Sequence, residues 1–225
     1  MREPLTYLRN LLRRSRYTHA RQPDAPGRDQ PPVLVLRGYL GTRGAMYLLE
    51  RRLLRDGFSA HSFPLGLVNT ADIRKSAIRV RDRVQELLAE LQTSRLDIVA
   101  HSMGGLIGLH YIQEHGGERL VGRLVTLGTP YQGTWTALGG LALLGPLAPS
   151  SRQMIPGNAF LRDLVNRPLP SSVKFYSIRG RYDLICPLAV THLPGAQDII
   201  LPVSHSGLVT EAAPYQAIVR CLTEG

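Results

Sequence analysis

The sequence is short of cysteine, lysine and aromatic residues, and it contains no long apolar run. Two cysteines in 225 residues, Cys186 and Cys221, are too few for a disulfide framework. They lack metal-ligand spacing, and one bridge is the most they could make. Aromatic residues make up 6% of the chain and do not interleave with basic ones. With no recognition motif either, a net charge of +10 is not enough to indicate nucleic-acid binding. No window approaches the ~18 consecutive apolar residues of a membrane-spanning helix. The basic N-terminus also lacks the ~7–15 apolar residues of a secretory leader. The expectation is a cytoplasmic protein with free thiols.

What is present is an ordinary globular balance of 44% hydrophobic and 20% charged residues. A single domain of this length buries roughly 70–75% of its unfolded surface and needs no staple. Of the 27 basic residues, 25 are arginine, and seven of these fall in residues 1–30 against three acids. In residues 4–16, Leu5, Leu8 and Leu12 fall on one side of a helix and Arg9, Arg13 and Arg16 on another. That pattern suits peripheral contact with an anionic membrane, or a basic arm that frays in solvent. Residues 21–32 hold four prolines and one glycine and read as a linker. The expected organisation is an arm and linker over residues 1–31 and a folded domain over 32–225, with a small cap or insertion at about 131–170.

Beyond the linker the hydrophobic period alternates between strand and helix. Val33 to Leu36, Phe58 to Phe63, Leu96 to Ala100, Leu120 to Leu127, 173–179 and 198–203 read as strands. Helices are expected over 45–56, from Thr70 or Asp72 onward, over 103–115 and over 210–223. The second carries the clearest stripe, Ile73, Ala77, Val80, Val84, Leu87 and Leu91, at spacings of three and four. Strands alternating with helices of this length imply an α/β fold, a mostly parallel sheet covered on both faces. Ligands in such sheets sit beyond the carboxyl ends of the strands.

One such end reads Ala100-His101-Ser102-Met103-Gly104-Gly105, followed by a helical run. A chain that turns from strand to helix in about one residue forces that residue into an unusual backbone conformation and exposes its side chain. Small residues are needed on either side, and Ala100 and Gly104 supply them. The helix N-terminus beneath Ser102 places a positive dipole end where negative charge would develop. With this context the sequence resembles the α/β-hydrolase superfamily, and particularly small bacterial lipases and esterases whose elbow reads Ala-His-Ser-Met-Gly. The resemblance runs from about Val33 to the C-terminus.

The resemblance implies a catalytic triad in the chain order Ser, acid, His. A serine hydroxyl needs an adjacent base, itself oriented by an acid, to act as a nucleophile. The segment Arg179-Gly180-Arg181-Tyr182-Asp183-Leu184-Ile185-Cys186-Pro187 looks like the family's acid loop and nominates Asp183. Asp198 is the alternative, but it precedes its strand. His205 follows the last strand, where the family carries its base. His101 is expected to pack away from the chemistry, and His19, His61, His110, His115 and His192 are expected to be structural or superficial. The oxyanion donors implied are the backbone N–H groups of Met103 and Tyr39, with Arg37 standing where the family has histidine. Gly128 to Thr134 also matches a lipase-like pattern, and that segment with the apolar stretch after it nominates Tyr131, Trp135 and Leu138 as substrate contacts. Gly139 and Gly140 are hinge candidates for a mobile cap.

The function implied is hydrolysis of a small-molecule or lipid carboxylic ester with an apolar acyl chain, through an acyl-enzyme. That chemistry requires no metal or organic cofactor. A thioesterase or acyltransferase would use the same triad, and a non-catalytic hydrolase-fold protein would bind a lipid or partner instead.

Overall fold

The computed structural model describes residues 30–38, 43–62, 65, 69–139 and 148–224. The basic arm and most of the linker lie outside the described residues, as do Tyr39 and Gly140. Six strands form one parallel sheet: β1 (Val33–Leu36), β2 (Ala60–Ser62), β3 (Leu96–His101), β4 (Val121–Leu127), β5 (Lys174–Gly180) and β6 (Gln197–Leu201). Their spatial order is β2-β1-β3-β4-β5-β6, with every neighbouring pair parallel. The chain therefore steps outward from β1 to β2, then returns to add β3 on the other side of β1. This reversal opens a crevice above the carboxyl ends of β1 and β3, because the connections leaving those strands diverge.

Both faces of the sheet are covered, which explains the near-continuous apolar runs of its strands. Leu34, Leu36, Ile98 and Leu124 pack on one side against α2 (Ile73–Leu91), α3 (Met103–Glu114) and α5 (Ala159–Asn166). Val33, Val35, Val99 and Val125 face α1 (Arg43–Arg55) and α7 (Ala212–Thr223) on the other. The stripe read from the sequence is the buried face of α2 from Ile73 to Leu87, with Leu91 half-buried at its end. Asp72 caps that helix, its Oδ1 accepting from the N–H groups of Arg74 at 2.8 Å and Lys75 at 3.2 Å.

Several boundaries differ from the sequence expectation. The second strand is only three residues long, and the sixth begins at Gln197 and ends at Leu201. The expected closing helix is α7 (Ala212–Thr223), which begins two residues later than expected, and a short α6 (Gly207–Thr210) precedes it with extended backbone at Glu211 between them. Residues 148–166 of the expected insertion contain α4 (Pro149–Gln153) and α5, and are part of the body: Phe160, Leu161 and Leu164 join the core beside α2 and α3.

At the opposite end of the sheet, Asp97 of β3 is buried with Arg123 of β4, Nη1 to Oδ2 at 3.0 Å. Burial outweighs the neighbouring guanidinium and raises the Asp97 pKa to about 6. Because the folded pKa then lies above the unfolded value of about 3.9, the folded state holds an extra proton between the two. The Asp97 contribution to stability is therefore present in full below about pH 4 and is lost as pH rises through about 6. The loss is at most on the order of 3 kcal/mol, at about 1.4 kcal/mol per pK unit. Denaturation at stepped pH should show wild type losing stability relative to Asp97→Asn across that interval. A wild type that gains stability relative to Asp97→Asn as pH rises would mean that the ion pair dominates instead.

Candidate active site

Ser102 stands at the corner between β3 and α3 with φ 54° and ψ −127°, one of three non-glycine residues with positive φ among those described. Its N–H donates to Leu127 O of β4 at 2.8 Å, and its carbonyl accepts from Thr129 Oγ1 at 2.9 Å and Gly105 N–H at 3.0 Å. Although Ser102 is the N-cap of α3, its side chain does not cap the helix, so the turned backbone leaves the hydroxyl for other partners. Space for the corner comes from glycines. A methyl on Gly38 would lie 2.7 Å from Ser102 Cβ, one on Gly104 would lie 2.8 Å from Leu36 O, and one on Gly105 would meet Thr129 Oγ1 at 2.0 Å. The clearance at Gly104 is thus against β1, which brings the corner up to the loop leaving that strand.

Asp183 and His205, chosen from the sequence, meet as a pair: His205 Nδ1 lies 2.7 Å from Asp183 Oδ2. The Asp183 side chain is fully buried and that of His205 is 12% exposed. The other carboxylate oxygen accepts from the N–H groups of Ile185 at 2.9 Å and Cys186 at 2.7 Å, so the acid is fixed by its own loop. A carboxylate at Nδ1 keeps the proton on that nitrogen and leaves Nε2 of the neutral ring as an acceptor. Gly128, at φ 57° just beyond β4, lies beneath the pair. A methyl there would come within 3.0 Å of Asp183 Oδ2, 3.2 Å of His205 Nδ1 and 2.7 Å of Leu208 Cδ1.

His101 does pack, but against the candidate base rather than away from it. Its ring centroid is 4.5 Å from that of His205, and its Nε2–H donates to the His205 carbonyl at 3.2 Å. Burial, reinforced by repulsion from a charged His205, lowers the His101 pKa to about 3, so it is neutral at physiological pH. Cys186 is a second residue whose position the sequence reading missed. Its thiol lies against the Ser102 side chain, and burial followed by the Asp183 charge pushes its pKa up, keeping it protonated. Its place in the acid loop, directly before Pro187, was the available signal. Both cysteines are free thiols.

The remaining candidates separate cleanly. Asp198 binds Arg179 Nη1 at 2.6 Å and His192 Nδ1 at 2.8 Å, a second His–Asp pair that is half-exposed and near the start of β6. His61 meets Ser59 Oγ, and His110 packs edge-on to Phe160 and His115. Met103 opens α3, so its N–H is among the first-turn donors without an intrahelical partner. Trp135 and Leu138 are exposed, whereas Tyr131 is buried in the core with its hydroxyl donating to Thr126 Oγ1 at 3.0 Å. Tyr131 is therefore a packing residue and is withdrawn as a substrate contact. Gly139 is exposed, and a methyl there would meet nothing among the described residues.

The family model for the alpha/beta hydrolase fold matches residues 31–152, more than half of the chain, and the protein belongs to that family. Among solved structures, the mature Bacillus licheniformis lipase BlEst2 is 16% identical with a TM-score of 0.75, covering 89% of this chain and 95% of that one. Aspergillus fumigatus lipase B is 15% identical (TM-score 0.71), covering 88% of this chain and 54% of that one. Legionella pneumophila phospholipase PlaB is 16% identical (TM-score 0.70), covering 85% and 58%. At these identities the likeness is one of fold. The chain matches nearly the whole bacterial lipase but only a little over half of the other two proteins.

Gly128→Ala should lower stability by on the order of 1–3 kcal/mol, through its positive φ and the crowding of the His–Asp pair. Gly139→Ala, at an exposed position where a methyl meets nothing among the described residues, should stay within about 0.5 kcal/mol of wild type. Thermal denaturation of the two variants checks both expectations, and equal effects would contradict the packing argument.

Proposed function

We propose that the protein is a serine-dependent carboxylic ester hydrolase in which Ser102 is the nucleophile, His205 the general base and Asp183 the orienting acid. The observation that carries this reading is the Asp183–His205 contact of 2.7 Å, placed with Ser102 around the carboxyl end of the sheet. In the first step His205 Nε2 takes the Ser102 proton as Oγ attacks the ester carbonyl. The imidazolium so formed faces the buried Asp183 carboxylate, which stabilises it at short range. The backbone N–H groups of Met103 and Tyr39 take the developing oxyanion. His205 then returns the proton to the leaving alcohol, and water, activated by the same base, releases the acid from Ser102.

An apolar acyl chain is favoured by the surface of the two loops flanking this chemistry. Trp135 is 70% exposed and Leu184 89%, with Leu138, Tyr182 and Ile185 also open to solvent. Thr134 Oγ1 donates to Ile185 O at 2.5 Å and ties the two loops together. Trp135 and Leu138 are retained as substrate contacts on this basis. Peripheral contact of residues 4–16 with an anionic membrane remains part of the proposal and rests on the sequence alone.

A series of nitrophenyl esters of increasing acyl length tests both halves of the reading. Turnover by wild type should fall at least ~10³-fold in Ser102→Ala. Over the short-chain range kcat/KM should rise with each methylene by up to about fourfold, the equivalent of ~0.8 kcal/mol per buried CH2. Activity surviving in Ser102→Ala would remove the nucleophile assignment, and a flat or falling series would remove the apolar acyl site.

A further inference from the structure

We propose that Asn69 is a positioning residue for the oxyanion hole, acting on the peptide groups on either side of Gly38. Asn69 lies outside every motif discussed so far, yet it is 1% exposed and its amide reaches the backbone of Arg37 and Gly38, the latter lying against Ser102. Its Nδ2 donates to the carbonyl of Arg37 at 3.0 Å and to that of Gly38 at 3.2 Å. The opposite orientation of the amide would set Oδ1 against two carbonyl oxygens, so the donor assignment is fixed by its surroundings. The Gly38 carbonyl shares one planar peptide group with the N–H of the next residue, and fixing one end of that group fixes the other. The next residue is Tyr39, whose N–H the hydrolase reading uses as an oxyanion donor, and this inference rests on that reading.

The contact is kept at a cost. Asn69 has φ 45°, in the left-handed region where side chains other than glycine are strained, and its Oδ1 is buried with no hydrogen-bond partner among the described residues. Asparagine tolerates this conformation better than most residues, and its amide can meet two carbonyls at once. The segment that follows is pinned from the other side by α4. Ser150 Oγ donates to Thr70 O at 2.9 Å, Ile73 N–H donates to Gln153 Oε1 at 2.8 Å, and Gln153 Nε2 donates to Asp72 Oδ2 at 3.0 Å. A rigid base at Thr70 to Ile73 is what lets one side chain hold the Arg37 and Gly38 carbonyls in place. The gap Asn69 maintains is narrow, since Gly38 already lies against Ser102.

Asn69→Gly tests this cleanly, because glycine accepts the positive φ without strain while removing the amide. With the ester on which wild type is most active, kcat should fall about 10²-fold, the scale of losing one oxyanion donor, while KM stays within about threefold. The melting temperature should be no lower than that of Asn69→Ala, which a purely structural role for the side chain would not separate from its effect on kcat. Independently of turnover, the carbonyl carbon resonance of Gly38 in wild type should move upfield in Asn69→Gly as it loses its donor. A wild-type kcat in Asn69→Gly, or an unmoved Gly38 carbonyl resonance, would overturn the proposal. If wild type shows no Ser102-dependent turnover, the hydrolase reading fails instead. The Gly38 resonance then still decides whether Asn69 holds the loop.

Discussion

The corner at Ser102 depends on backbone approaching backbone with no side chain between. Gly38, Gly104 and Gly105 each occupy a place where a methyl would collide with β1, with Thr129 or with Ser102 itself. Close approach has two consequences that a looser turn would lack. The first turn of α3 is set against the carboxyl end of β1, where Gly104 meets the backbone of Leu36 and Arg37 and the first-turn N–H groups have no intrahelical partner. The Ser102 side chain is also turned out of its usual capping role. Everything else in the site is arranged around an atom whose position these glycines fix.

A second constraint is electrostatic. A carboxylate buried as deeply as Asp183 is costly unless its lone pairs are used. Two N–H groups of its own loop and the His205 ring use them. The satisfied acid holds the imidazole from one side, while His101 holds it from the other by ring contact and by a hydrogen bond to its carbonyl. Because burial keeps His101 neutral, it braces His205 without adding a positive charge beside the ring that the proposed mechanism uses as its base. Cys186 behaves in the same way, remaining a protonated thiol beside Asp183.

The parts of this arrangement legible in the sequence are those that follow from period and local chain geometry. The α2 stripe, the strand ends and the serine between a strand and a helix are local patterns. Asp183 and His205 could be nominated because each follows a strand at the place where the resembled family carries its acid and base, although their meeting depends on a sheet order that no local window contains. Residues whose meaning depends on what lies opposite were misjudged or missed. Tyr131 sits in a lipase-like segment but turns inward to Thr126. His101 was expected to point elsewhere, because strand alternation does not say what the neighbouring loop will lay against it. The closing helix was expected from residue 210 and begins at Ala212, because the extended backbone at Glu211 leaves no mark in the apolar period. Asn69 offered only its residue type, the non-glycine side chain most at ease at positive φ.

The distribution of backbone strain joins these observations. Among the described residues three non-glycine positions have positive φ: Asn69, Gln92 and Ser102. Gln92 is the C-cap of α2, where a left-handed residue satisfies the last carbonyls of a helix and needs no further cause. The other two are separated by more than thirty positions in sequence, but both border the crevice at the strand-order reversal. Asn69 reaches the loop after β1, and Ser102 ends β3. Strain of this kind persists only where the surroundings over-determine it. Here the surroundings are glycine contacts at one position and two hydrogen bonds to carbonyls at the other. A fold selected for stability alone would relax both positions. Their coincidence at the crevice agrees with the proposal that the chemistry lies at this end of the sheet, and among the described residues the half-exposed His192–Asp198 pair near the start of β6 has no strained non-glycine residue beside it.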